Sequence, residues 1–151
     1  MGKRRRAREL AMQVLFASDF GLDDLHDAFE LITENFISDE YESVIAFSKQ
    51  LVFGTYPKIK YLDKFIARAS KNWRIKRMSC VDRSILRLTT FEILFMGDIP
   101  PKVSIDEAVE MGKKFGGKNS AKFINGVLDN IYHMYNSAQS ARDSKCILDD
   151  E

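Results

Sequence analysis

Apolar residues recur along this chain at the ~3.6-residue helical period, and nowhere do they alternate as in a half-buried strand. Ala7, Leu10, Ala11, Val14, Leu15 and Ser18 share the inner face of a first helix over about residues 5–20, which Gly21 ends. Leu25, Ala28, Phe29 and Ile32 mark a second over 24–35. A third begins near residue 38 and carries Tyr41, Val44, Ile45, Ser48, Leu51, Val52 and Thr55 on one stripe until Gly54-Thr55-Tyr56-Pro57 interrupts it. Ile59, Leu62, Phe65, Ile66 and Ala69 give a fourth over 58–70. The fifth, capped by Ser79 and running to Gly97, is apolar at Val81, Ile85, Leu86, Leu88, Phe91, Ile93, Leu94 and Phe95. Apolar on so many sides, it is expected to be the central, most buried helix. Beyond the rigid Ile99-Pro100-Pro101 connection, Ser104-Ile105-Asp106-Glu107 fits a capping box that opens a sixth helix, ended by Gly116 and Gly117. A seventh follows at once, with Ile124, Val127, Leu128, Ile131 and Tyr135 inward, and ends near Tyr135. Seven helices without strands or repeats predict an all-α fold. Residues 1–136 read as one domain in two helical halves, about 3–56 and 57–136, and 137–151 as a disordered polar tail.

Several positions break this pattern. Glu92 falls among core positions, where an unpaired carboxylate is costly, so Arg83, Arg87 or a backbone donor is its expected partner. Gly116 and Gly117 suit a left-handed helix end. Asn125-Gly126 lies inside the last helix at about 1 kcal/mol or more of lost propensity. Close approach of another helix at Gly126, with Asn125 bonding across, is the expected compensation. Residues 72–77, NWRIKR, interleave aromatic and basic side chains as an RNA-binding strip does. Trp73 and Ile75 are nevertheless better read as a plug at the joint between halves, with the cations solvated.

Charge sharpens the picture, because the net charge of +1 over 151 residues hides an uneven distribution. Five of the six residues from Lys3 to Arg8 are basic. From Asp19 to Glu42 there are nine acidic residues and no lysine or arginine, while from Lys58 to Arg83 nine basic residues stand against Asp63 and Asp82. A polyanion would meet attraction on some faces and repulsion at the second helix. Arg4, Arg5, Arg6 and Arg8 crowd the start of the first helix, the wrong end for cations with respect to its dipole. An anionic partner gives a reason for them; a frayed, solvated terminus is the alternative.

Other classes lose support. No stretch approaches the ~20 apolar residues of a membrane span. Glu9, Gln13 and Asp19 interrupt any signal-like run behind the basic start, so a cytoplasmic protein is expected. Cys80 and Cys146, accompanied only by His26 and His133, have no zinc spacing and suit reduced thiols. Without a Gly-rich phosphate loop or a nucleophile and base at workable spacing, neither catalysis nor a metal or other cofactor is expected.

Residues 115–129, FGGKNSAKFINGVLD, carry the most chemistry. Asn119 or Ser120 can cap the seventh helix, leaving its first-turn amides and positive dipole end as an anion site. Lys118 and Lys122 add charge beside Phe123, and charge paired with an aromatic face suits single-stranded RNA. Phe123 also lies at the margin of the apolar stripe, and spacing alone favours a core position for it.

This stretch resembles the C-terminal signature of the NusB family of transcription antitermination factors (N utilization substance protein B), and residues 4–16, RRRARELAMQVLF, resemble its N-terminal signature. VDRSILRLTTFEILF at 81–95 and IPPKVSIDEAVEMGKKFG at 99–116 are similar to family segments in the same order. The resemblance covers the chain from Lys3 to about Tyr135. It implies two small helical bundles packed across each other, in a non-enzymatic protein that pairs with the ribosomal protein NusE. The pair would bind the boxA element of ribosomal RNA leaders within the antitermination complex on RNA polymerase. By motif position, Arg4, Arg5, Arg6 and Arg8 would contact phosphate, and Lys118, Asn119, Lys122 and Phe123 would line the RNA side of the last helix. Asn119 stands where many members carry an acidic residue, which implies comparatively strong RNA binding by the free chain. Asp82 with Arg83 is the expected NusE contact, unless Asp82 only complements its own helix dipole. The alternatives are a protein-interaction module without RNA binding and a stand-alone relative of the helical domain that precedes some ribosomal RNA methyltransferases. Against the latter, the chain ends before any cofactor-binding domain begins. A homodimer of free chains is left open by the resemblance.

Overall fold

Seven α-helices and no strand form among the described residues: α1 Lys3–Asp19, α2 Leu25–Thr33, α3 Glu42–Thr55, α4 Ile59–Ala69, α5 Cys80–Phe95, α6 Pro101–Phe115 and α7 Ser120–Asp149. The computed structural model describes residues 2–21, 24–36, 38–71 and 73–149, with side chains through residue 139. Short 3₁₀ turns at Asp39–Tyr41, Tyr56–Lys58 and Ile75–Arg77 lead into α3, α4 and α5.

Local chemistry explains most boundaries. Gly21 takes φ +90 just past α1, where a Cβ would be strained. Asp24 caps α2 by accepting from the His26 amide at 2.8 Å. The expected break at 54–57 is a turn in an otherwise helical path: Tyr56 keeps φ −56 and ψ −48, and Pro57 sits at the start of the 3₁₀ turn, where a missing N–H is harmless.

α5 is the central helix, packing against α1, α3, α4, α6 and α7. Ile85, Leu86 and Leu88 are wholly buried, and Leu51, Leu62, Ile66, Ile124, Leu128 and Ile131 close around them in one core. α1 lies along α3, and α6 along α7. Asp19 binds Arg83 at 2.6 Å and Arg87 at 3.6 Å, and Arg87 binds Asp63 at 2.8 Å, so a web of charge ties the end of α1 to α4 and α5.

Four expectations need correction. Glu92, fully buried, pairs with Arg8 rather than with Arg83, Arg87 or the backbone. The Arg8 guanidinium donates to it at 2.8, 3.0 and 3.1 Å, and the Ser104 hydroxyl donates at 3.2 Å. Ser104 therefore does not cap α6. That helix starts a turn earlier at Pro101, whose ring presets the first helical φ and whose absent N–H is not needed there. Gly116 is extended, at φ −91 and ψ −174, not left-handed. Space is what requires glycine: a Cβ there would collide with the Ser120 side chain and lie 2.7 Å from the Gly112 carbonyl oxygen. Finally, α7 does not end near Tyr135, because its backbone stays helical to Asp149.

Candidate nucleic-acid interface

The start of α7 is shaped by the bend at residues 116–119. Ser120, expected as a possible cap, instead accepts from the Gly117 amide at 2.9 Å and ties the loop back on itself. The Asn119 carbonyl accepts from the Phe123 amide at 3.1 Å, so Asn119 holds the cap position. Its side chain is exposed. The Ala121 and Lys122 amides have no backbone acceptor and add the positive end of the helix dipole to the lysines nearby.

The connection from α4 to α5 faces this helix start. Ser70 donates its hydroxyl to the Trp73 carbonyl at 3.0 Å and accepts at its own carbonyl from the Trp73 amide at 3.2 Å, in a turn where Lys71 takes φ 42. Asn130 on α7 donates to the Ala69 carbonyl at 3.0 Å and fastens α7 to the end of α4. Trp73 is thereby held outward, 55% exposed, with its ring 5.8 Å from that of Phe123 at 66°. It is not the plug that the sequence suggested. Ile75, by contrast, is partly buried against the main core.

Between these two elements runs an open groove of about 690 Å³, walled by Lys71, Trp73, Asn119, Lys122 and Phe123 and floored by Gly126. No neighbour lies within 4 Å of where a Gly126 Cβ would be, so the expected close helix approach is absent and Gly126 opens onto the groove. Phe123 packs partly on the core and partly lines the groove. Lys118 is exposed on the preceding loop. Sequence reasoning missed Lys71 and Gly126 as groove residues. The unexplained helix penalty at Gly126 was the available signal.

Behind the two aromatic rings, a second pocket of about 230 Å³ is lined by Trp73, Arg77, Ser79, Asp82, Asn119 and Phe123. Ser79 caps α5 at the Asp82 amide, 3.1 Å away. The Asp82 side chain is nearly buried, and its Oδ1 has no hydrogen-bond partner. Arg83 turns elsewhere, donating to Asp19 at 2.6 and 3.1 Å and to the Ile75 carbonyl at 3.2 Å.

The arginine run is divided by the fold. Arg8 faces inward to Glu92, only 3% exposed, so it does not present a cation to solvent. Arg5 makes a bidentate pair with Glu107 at 2.8 and 3.0 Å. That hydrogen bond and charge hold the Glu107 carboxyl below its ordinary range and raise Arg5 in turn. Arg4 lies over the Phe47 ring at 4.8 Å and Arg6 over Phe36 at 5.1 Å, both exposed. The run borders the α5–α6 connection at Asp98, Ile99 and Pro100 and does not line the groove. Lys113 and Lys114 in the last turn of α6 pair with Glu110 at 3.2 Å and Glu9 at 3.0 Å.

Among the described residues no group of three or more His, Cys, Asp or Glu is placed to hold a metal ion, and no helix is long and apolar enough to cross a membrane. What the surface offers is cations beside aromatic faces, which is chemistry for non-covalent binding.

Known proteins share this arrangement of helices. A description of the NusB family matches residues 5–133. The transcription antitermination protein NusB of Pelotomaculum thermopropionicum is 47% identical over 128 residues, covering 85% of this chain and 88% of that protein. NusB of Bacillus licheniformis is 43% identical over 129 residues, covering 85% and 95%. Among solved structures, T. maritima NusB is similar at a TM-score of 0.78 and 38% identity, covering 86% of this chain and 90% of that one. A crystal structure of the antitermination factors NusB and NusE in complex with dsRNA is similar at a TM-score of 0.80 and 28% identity, covering 88% and 98%. Matched over most of its length in sequence and in fold, the chain belongs to the NusB family.

Proposed function

We propose that this chain is a cytoplasmic transcription antitermination factor that binds boxA-type RNA of ribosomal RNA leaders together with the ribosomal protein NusE, without catalysis. It would act within the antitermination complex on RNA polymerase. The observation that carries this reading is the groove at the start of α7, where Lys71 and Lys122 stand beside Trp73 and Phe123. Lysines neutralise phosphates and contribute salt-sensitive affinity, while the aromatic faces and the exposed Asn119 amide contact unstacked bases.

Lys118 and Lys122 are the proposed phosphate contacts on α7. Arg4 and Arg6 extend the basic surface at α1, and Arg5 joins them on exchanging Glu107 for phosphate. Arg8 serves indirectly, holding α1 against α5. For NusE, the second pocket is the proposed contact: the Asp82 oxygen that lacks a donor suits a basic side chain, and Arg83 braces the segment from behind. Trp73 and Phe123 wall both pockets, so a partner seated at Asp82 would steady one side of the RNA groove.

The test is anisotropy of a labelled single-stranded boxA RNA across a salt series, with and without NusE. Affinity should fall with salt at a log–log slope of about −0.7 per phosphate neutralised. It should rise with NusE, and Lys122→Gln should flatten the slope. NusE binding with no RNA binding in any condition would leave a protein-interaction module and refute this function.

A further inference from the structure

We infer that Trp73 is a base-stacking platform: one unpaired base of the bound RNA lies on its indole, over the open floor at Gly126, with the flanking phosphates near Lys71 and Lys122. This rests on the RNA-binding reading above and names the part of the surface that grips a base.

Three observations carry it. The first is that a large aromatic ring is held in water by specific bonds. Trp73 is 55% exposed, yet both backbone groups that set its position, its N–H and C=O, are bonded to Ser70 across a turn with Lys71 at positive φ. A lysine is uncommon in that backbone region, and the turn it permits aims the indole outward. Contact with Phe123 steadies the ring while more than half its surface stays free.

The second is the empty space beside it. Gly126 lies within α7 with nothing within 4 Å of a would-be Cβ, so no packing inside the protein requires glycine. Any larger side chain would stand in the groove beside Phe123 and Trp73.

The third is charge. Lys71, Arg74, Lys76, Arg77 and Lys122 are exposed, and none of them is in an ion pair among the described residues. Asp129 bounds the groove and repels phosphate there, which leaves the side with Lys71 and Lys122 for the backbone. An exposed ring among uncompensated cations is complementary to a single-stranded polyanion, whose bases stack on aromatic side chains irrespective of sequence.

Trp73 is the chain's one tryptophan, so its emission reports on this site directly. The full chain should be titrated with single-stranded boxA RNA, with the same sequence as a duplex, and with NusE alone, following tryptophan fluorescence and RNA anisotropy together. Single-stranded RNA should quench the emission in step with binding. Trp73→Ala should weaken binding by roughly 5- to 150-fold, as for loss of one stacked base, and Trp73→Phe should recover most of it. Gly126→Leu, which puts a side chain into open space and leaves the core untouched, should weaken binding without loss of helicity. RNA binding with unquenched emission and full affinity in Trp73→Ala would overturn the platform while leaving the proposed function standing. Quenching by NusE alone, with no further change on adding RNA, would assign the ring to a protein partner and overturn it as well. A duplex that binds as tightly and quenches as strongly as the single strand would likewise refute an unpaired base on the indole. Absence of any RNA binding, with or without NusE, would instead sink the proposed function itself.

Discussion

Replacing Arg8 with methionine should cost stability and leave the RNA salt dependence alone. In the folded chain the Arg8 side chain is 4% exposed and the Glu92 side chain 0%, and three of the four hydrogen bonds that Glu92 accepts come from Arg8. Arg8→Met leaves a buried carboxylate with one hydroxyl 3.2 Å away. Breaking a buried pair from one side costs roughly 3–5 kcal/mol, a large share of the ~5–15 kcal/mol by which domains are stable. For a chain of this size that is a fall in Tm of about 6–20 °C. Arg8→Met combined with Glu92→Leu removes both charges, and the usual finding for such replacements is near-neutral or stabilising by ~1–4 kcal/mol. Urea unfolding of the two single variants and the double variant closes the cycle. RNA anisotropy at a temperature where every variant is folded supplies the second readout. A phosphate-contacting arginine would behave the opposite way, with unchanged Tm and a salt slope smaller by about 0.7. That result for Arg8→Met would refute the buried-pair argument.

Three further outcomes follow from the same geometry. Gly126→Ala should stabilise the chain by about 0.8–1 kcal/mol in urea unfolding, because the helix penalty is removed and nothing crowds the new methyl; destabilisation would mean that the groove floor is packed after all. Asn119→Asp puts a negative charge on the exposed cap beside the groove and should weaken RNA binding by the free chain about fivefold, from ~1 kcal/mol of repulsion at a few ångströms in water; unchanged affinity would count against that site. Glu107 is held below its ordinary range by Arg5, so the folded chain binds fewer protons there than the unfolded one. The resulting stabilisation is complete above the ordinary glutamate pKa of about 4.3 and is lost as pH falls through the folded value. Glu107→Gln should therefore lower Tm at neutral pH and flatten its acid limb, and parallel acid limbs in the two proteins would contradict this.

The helices themselves were legible in the sequence because each depends on residues within a turn of one another. The stripe from Leu51 to Thr55, the Ser79 cap and the central place of α5 follow from period and capping, and the structure agrees. Where a helix start had two local solutions, Pro101 against Ser104, the pattern pointed to the wrong one. Tertiary context drew Ser104 inward to Glu92, and proline supplied the start. That Asn119, Lys122 and Phe123 stand together was readable because they lie on one short segment, and all three line the groove.

Everything that depended on distant partners was decided by packing. Arg8 and Arg6 are near neighbours in a basic run, yet only Arg8 falls on the face that α1 turns to α5, opposite a carboxylate 84 residues away. A cation on the apolar face of α1 and a carboxylate within the apolar run of α5 were the sequence signal for that pair. The orientation of Trp73 depends on a turn closed by Ser70, and the meaning of Gly126 depends on which element stands opposite it. Sequence by itself determined the helices, their inward faces and where charge is concentrated. Only the tertiary structure decided which charges face water, because burial and pairing belong to the surroundings of a side chain and not to its neighbours along the chain.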